Sequence, residues 1–157
     1  MFQHVLLCTH GTQGAKKAEA FVFNQLKENP DLQVSLLTVL DQDWQGMTGD
    51  DWLNSSKTHA KFLDHVEEQV SHEIREEWQR IRATHPAASK ARFIQRTGPV
   101  AETIAGVAKE IGCDLIAMGR YHKPKGFLRG HEGKSLKDTL KNKRFHPLLP
   151  CPLIIVP

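Results

Sequence analysis

A chain of 157 residues with 39% hydrophobic and 25% charged side chains has the make-up of one soluble globular domain with a real core. No apolar run approaches the ~20 residues that span a bilayer, and MFQHVLLCTHG lacks the basic start and long apolar core of a secretory signal, so a cytoplasmic protein without a membrane anchor is expected. The net charge of +3 conceals nine Lys/Arg against two acids in residues 120–144, a local +7 that leaves the rest of the chain at −4. That split favours a small phosphorylated ligand or an acidic partner surface and disfavours nucleic acid, whose long polyanion the remainder would repel.

Taken in order, Val5-Leu6-Leu7-Cys8 is a first apolar strand running into the turn Thr9-His10-Gly11-Thr12-Gln13-Gly14. Ala15, Ala18, Val22 and Leu26 are spaced along one face of a helix over 15–28, which Asn29-Pro30 ends. Val34 to Leu40 is a second, all-apolar strand of the kind buried on both faces of a parallel sheet. Asp41 to Ser56 reads as a loop carrying Trp44 and Trp52. Lys57 to Ala83 reads as a long helix with an apolar stripe at Phe62, Val66, Val70, Ile74, Trp78 and Ile81. Lys90 to Arg96 is a more polar third strand and is expected near a sheet edge.

Gly98-Pro99 opens the next helix, with Pro at its first position, and Gly112 is its C-cap. Residues 114–118 form the fourth strand. A cationic loop with glycines at 126, 130 and 133 follows, then a helix from Ser135 to Phe145 with Ser135 as N-cap. Leu153 to Val156 is the last strand. The alternation predicts an α/β fold: one doubly wound, five-stranded parallel sheet with helices on both faces, a Rossmann-like domain over residues 1–157. Such sheets receive ligands beyond the carboxyl ends of their strands, here Thr9-His10-Gly11, Val39-Leu40-Asp41, Gly98 and Gly119. Strand, glycine-bearing cationic loop and helix start together make an anion site, since inward N–H groups and a helix N-terminus attract negative charge.

Other constellations carry less. Cys8, Cys113 and Cys151 form no CxxC and read as small buried hydrophobes in a reducing compartment. His65, Glu68 and His72 lie on one side of the long helix, but a solvated face explains them better than a metal. Gly133-Lys134-Ser135 resembles the end of a P-loop, yet that motif needs glycine five residues before Gly133, where Leu128 stands. No nucleophile with a base partner is evident, so no catalytic residues are assigned and phosphohydrolase chemistry is set aside.

GPVAETIAGVAKEIGCDLIAMGR, LLPCPLIIVP, VLLCTHGT and VSLLTVLD together resemble the universal stress protein (UspA) family over essentially the whole chain. The resemblance implies a role in stress response and binding of ATP or another adenine nucleotide through Gly-x2-Gly-x9-Gly-Ser/Thr after the fourth strand. Gly119 fills the first position, His122 stands at the second, ten residues separate His122 from Gly133, and Lys134 precedes Ser135. His10 stands where the family places an acid. The site so implied comprises Thr9, His10, Gly11, Thr12, Val39, Gly119, His122, Gly130, Gly133, Lys134 and Ser135, with the Val39 backbone facing adenine. Lys123, Lys125, Arg129 and Lys134 would neutralise phosphates, and Asp41 and Asp43 are either loop-capping acids or ligands of an accompanying Mg2+. The resemblance further implies a homodimer paired through the C-terminal strand, and slow ATP hydrolysis at most. The altered glycine motif leaves open another reading, a non-nucleotide interaction module that docks a protein partner through the basic loop and Trp44/Trp52.

Overall fold

The computed structural model describes residues 1–9, 13–40, 56–120 and 146–157; the side chains of residues 13, 56–63, 66 and 146 are not among the described features. Of the loop expected over 41–56, residues 41–55 lie outside the described residues, as do the basic loop and the helix expected at 135–145, while Ser56 begins a helix.

Strands β1 (His4–Cys8), β2 (Gln33–Leu40), β3 (Arg92–Thr97), β4 (Leu115–Gly119) and β5 (Leu153–Val156) form one parallel sheet in the order β3-β2-β1-β4-β5. The chain leaves the centre in one direction, returns, and leaves in the other. The strand order therefore reverses between β1 and β4. The three central strands carry the inaccessible apolar residues: Leu6 and Leu7 of β1, Leu36 and Leu37 of β2, and Ile116 and Ala117 of β4. The more polar β3 is an edge strand, as its composition predicted, and β5 forms the other edge.

Helices α1 (Gln13–Glu28), α2 (Ser56–Thr84) and α3 (Val100–Ile111) cover the two faces. On one face Val5, Leu7, Val34, Leu36 and Ala117 pack with Phe23 and Val22 of α1 and Ile81 of α2. On the other, Leu6, Cys8, Leu37, Ile94, Ile116 and Met118 pack with Ile104, Val107 and Ala108 of α3. Alternate residues of each strand thus feed opposite cores, the period-two rule of the pleat. The stripe read along α2 holds for Ile74 and Ile81, which are buried, and for Trp78, which packs at 5.2 Å on Phe93 and donates its indole N–H to Thr38 Oγ1 at 3.2 Å.

Two helix ends show what the sequence could and could not specify. Gly112 closes α3 at φ 62, ψ 37, in the left-handed region that glycine adopts without strain. Pro99, by contrast, is the N-cap and not the first helical residue; its ψ of 128 is extended, and helical geometry begins at Val100. The fourth strand also starts one residue later than expected. Asp114, just ahead of it, donates its N–H to the His4 carbonyl at 3.0 Å, and its carboxylate accepts the N–H groups of Gln3 at 2.8 Å and His4 at 3.1 Å, tying the start of β1 to that of β4.

Candidate functional site

The reversal between β1 and β4 opens at the carboxyl edge of the sheet, and α1 begins there. Gly119, the last residue of β4, and Gly14, in the first turn of α1, meet backbone to backbone. A Cβ on Gly119 would fall 1.9 Å from the Gly14 carbonyl oxygen, and one on Gly14 would fall 1.9 Å from the Arg120 carbonyl oxygen. Neither position can carry a side chain. The identity of Gly119, read from the sequence as the opening of a phosphate loop, thus has a packing cause of its own: it lets the start of α1 sit on the end of β4.

Thr9 follows β1 directly. Its N–H bonds the Leu37 carbonyl at 3.0 Å, continuing the ladder, and its hydroxyl donates to Glu19 Oε1 at 2.8 Å. Glu19 has 0% of its surface accessible. Its other oxygen accepts Arg80 Nη2 of α2 at 2.6 Å, and Arg80 also grips Glu77 through Nη2 at 2.5 Å and Nε at 3.0 Å. The chain Thr9–Glu19–Arg80–Glu77 links the end of β1 to both helices on that face. The hydrogen bond to Glu77 is the foremost cause that raises the Arg80 guanidinium further above its usual range, with Glu19 adding to it against the effect of burial. A buried carboxylate satisfied in this way is rigid, and it fixes the direction of the Thr9 hydroxyl hydrogen. The Thr9 oxygen retains acceptor capacity only.

At the adjoining strand end, Thr38, Val39 and Leu40 of β2 and Val70, Glu73, Ile74 and Glu77 of α2 line a cavity of about 340 Å³. Its walls are mostly aliphatic, and Glu77 on its rim is already held by Arg80. Val39, whose backbone the sequence reading singled out, is among the residues lining this hollow. A second hollow of about 330 Å³ lies at the opposite, amino edge of the sheet, where His4 Nε2 and Ser35 Oγ are 2.9 Å apart.

Of the residues the sequence nominated, the structure brings Thr9, Val39 and Gly119 to one edge. His10, Gly11, Thr12, His122, Gly130, Gly133, Lys134 and Ser135 lie outside the described residues. Sequence reasoning missed Glu19, Arg80 and Gly14. The signal for Glu19 was present: with Ala15, Val22 and Leu26 it occupies the apolar stripe of α1, where a carboxylate has no business without a partner. His65, Glu68 and His72 are all exposed on α2, and His72 Nδ1 lies 3.7 Å from Glu76. Among the described residues no group of three or more His, Cys, Asp or Glu converges as a metal site, and no helix is long and apolar enough to cross a membrane.

A parallel sheet whose strand order reverses at its centre, with helices on both faces, defines the doubly wound class of α/β proteins. Within that class the chain belongs to the universal stress protein family, whose model matches residues 1–136. Curated proteins provide no match. Among solved structures it is similar to a hypothetical protein whose biochemical function was assigned from its structure, at 19% identity over 99% of this chain and 96% of that one, with a TM-score of 0.70. It is similar to a universal stress protein in complex with cAMP, at 13% identity over 99% and 97% of the two chains and a TM-score of 0.58. A universal stress protein family protein from Arabidopsis thaliana with AMP bound is similar at 16% identity over 98% and 90%, with a TM-score of 0.50. At these identities the likeness is one of fold.

Proposed function

We propose that this protein binds an adenine nucleotide at the carboxyl edge of its sheet and acts in the cytoplasm as a nucleotide-dependent sensor or regulator of a stress response, with slow hydrolysis at most. The observation that carries the reading is the cavity beside Val39. Its volume of about 340 Å³ lies within the range of small-ligand sites, and Val70 and Ile74 offer aliphatic walls to a flat ring. The Val39 peptide supplies the polar edge that would orient adenine. Two structural relatives are described with cAMP and with AMP, which supports an adenine nucleotide as the ligand class.

In this reading the phosphates extend toward Thr9, His10, Gly11 and Thr12 and toward Gly119, His122, Gly130, Gly133, Lys134 and Ser135. Lys134 supplies charge, the glycines supply N–H donors, and Ser135 supplies a helix N-terminus. Mg2+ accompanies the polyphosphate forms, with Asp41 and Asp43 as its candidate ligands.

Calorimetric titration with ATP, ADP, AMP and cAMP tests the proposal. Saturable heat is expected for at least one of them. Val70→Trp, which fills the cavity from its partly buried rim, should weaken binding on the order of tenfold or more, a loss of about 1.4 kcal/mol or more. Absence of heat and of any thermal shift at millimolar nucleotide would reject it and leave the interaction module as the surviving function.

We further infer a two-fold dimer through β5. Among the described residues this edge strand leaves Ile155 at 47% exposure and its outer backbone without a strand neighbour. Sedimentation of the wild type against Ile155→Lys should show a dimer and a monomer; a wild-type monomer at high micromolar concentration would remove this part.

A further inference from the structure

The two cysteines that flank β4 and β5 face each other. Cys113 precedes β4, Cys151 precedes β5, and their sulfurs are 3.7 Å apart. The backbones carrying them are locked side by side, because Ile116 N–H donates to the Pro152 carbonyl at 2.9 Å and the strands pair from Ile116–Leu153 onward. Both thiols are free in the structure. A disulfide bond is roughly 2.0 Å long, so each sulfur has to move by only about 0.8 Å. The sheet has already performed the expensive part of the reaction, which is to bring two residues from distant parts of the chain into one place.

We infer that Cys113 and Cys151 form a built-in dithiol site whose oxidation by a hydroperoxide cross-links the edge strand β5 to β4 within one chain. The inference stands independently of nucleotide binding. The two sulfurs are not equivalent. Cys151 is partly exposed, whereas Cys113 is buried, so peroxide reaches Cys151 first. The Cys151 sulfur attacks a peroxide oxygen; the O–O bond breaks, Cys151 becomes a sulfenic acid, and hydroxide leaves to take up the thiol proton as water. Cys113 sulfur then attacks Cys151 Sγ; the S–S bond forms, the S–O bond breaks, and the second hydroxide leaves with the Cys113 proton as a second water. Two electrons pass from the thiol pair to one peroxide.

The surroundings set the speed. Burial pushes the Cys113 thiol up to about 12 and raises Cys151 as well. Little thiolate is present at neutral pH, so the link forms slowly, under sustained oxidation. Cys8 belongs to the same core cluster and is likewise buried, and burial, with Cys113 nearby, holds it still further above its usual range. It is the bystander of the three.

The test uses the full chain. Native protein is incubated with hydrogen peroxide, its free thiols are counted after unfolding, and its peptides are mapped without reduction. The count should fall from three to one, with the lost pair joining Cys113 to Cys151. The link closes a ring over residues 113–151, so the melting temperature should rise by about 5–15 °C and return on treatment with dithiothreitol. Cys151→Ser should show no oxidation-dependent rise. Three persisting thiols, a sulfinic acid on Cys151 without a link, a disulfide through Cys8, or a disulfide joining two chains would each overturn the inference; all four are read on the wild type and need no variant to fold.

Discussion

Gly119 meets Gly14 backbone to backbone, so that a methyl group on Gly119 would strike the Gly14 carbonyl and one on Gly14 the Arg120 carbonyl. The start of α1 and the end of β4 are consequently one packed unit at the edge where a ligand is proposed to sit. Gly119→Ala and Gly14→Ala should each destabilise the fold by about 2–4 kcal/mol, because the intruding carbon meets backbone and not a flexible side chain. Gly106 supplies the control. It lies in the middle of α3, exposed, with open space where a methyl group would go, so Gly106→Ala should stabilise by about 0.5–1 kcal/mol. Urea denaturation of the three variants reads both signs; equal effects would show that the contact is absent.

The Glu19–Arg80 pair should respond asymmetrically. Arg80→Met leaves a wholly buried carboxylate that, among the described residues, keeps only the Thr9 hydroxyl, and a loss of about 3–5 kcal/mol is expected. Glu19→Gln leaves Arg80 still bound to Glu77 and partly solvated, so the loss should be nearer about 1–2 kcal/mol. The double variant Glu19→Leu/Arg80→Met should recover most of the difference, since it strands no charge. A double-mutant cycle in guanidinium decides it.

His85 makes stability depend on pH. Its ring stacks on Phe23 at 5.0 Å, and burial holds its pKa below the ordinary 6.5, against the pull of Glu19. The unfolded chain therefore binds a proton more readily than the folded one. Above pH 6.5 both states leave the ring neutral and nothing changes. As pH falls below 6.5 toward the lower folded pKa, the unfolded state gains the proton first and stability is lost. His85→Phe keeps the stack and should flatten this slope. Melting temperatures measured between pH 5 and 8 for both proteins check it; parallel curves would assign the dependence to other groups.

Asp114 anchors two N–H groups ahead of β1. Asp114→Ala should cost about 1.5–3 kcal/mol, since both bonds end on a charged acceptor. Hydrogen exchange should quicken most at the amides of Gln3 and His4, while Leu6 and Leu7 in the sheet centre hold their protection. Uniform quickening along β1 would mean that the carboxylate supports the strand itself.

The sheet was legible because β1, β2 and β4 are continuous apolar runs bounded by turns, and the polar residues of β3 marked it as an edge. Gly112 was legible as a C-cap because the position demands a left-handed backbone. The Gly14–Gly119 contact was not, because it joins residues far apart in the chain and depends on which strands are neighbours. The same holds for the cysteines: their spacing shows no motif, and only the parallel pairing of β4 with β5 brings Cys113 to Cys151. Of the site, Thr9 and Val39 were readable as strand ends. What lies beneath them, the Glu19–Arg80 link, depends on α1 and α2 sharing one face, which periodicity along either helix alone does not state.

The earliest of the five described strands in the sequence is also the middle one of the sheet. Leu6 pairs with Ser35 on one side and with Ile116 on the other. On the ribosome, β1 can join β2 early, yet its second edge waits for β4, which emerges only after α2, β3 and α3. Through that interval the edge of β1 that later meets β4 is unpaired, and an unpaired apolar edge in an incomplete fold is what invites wrong partners.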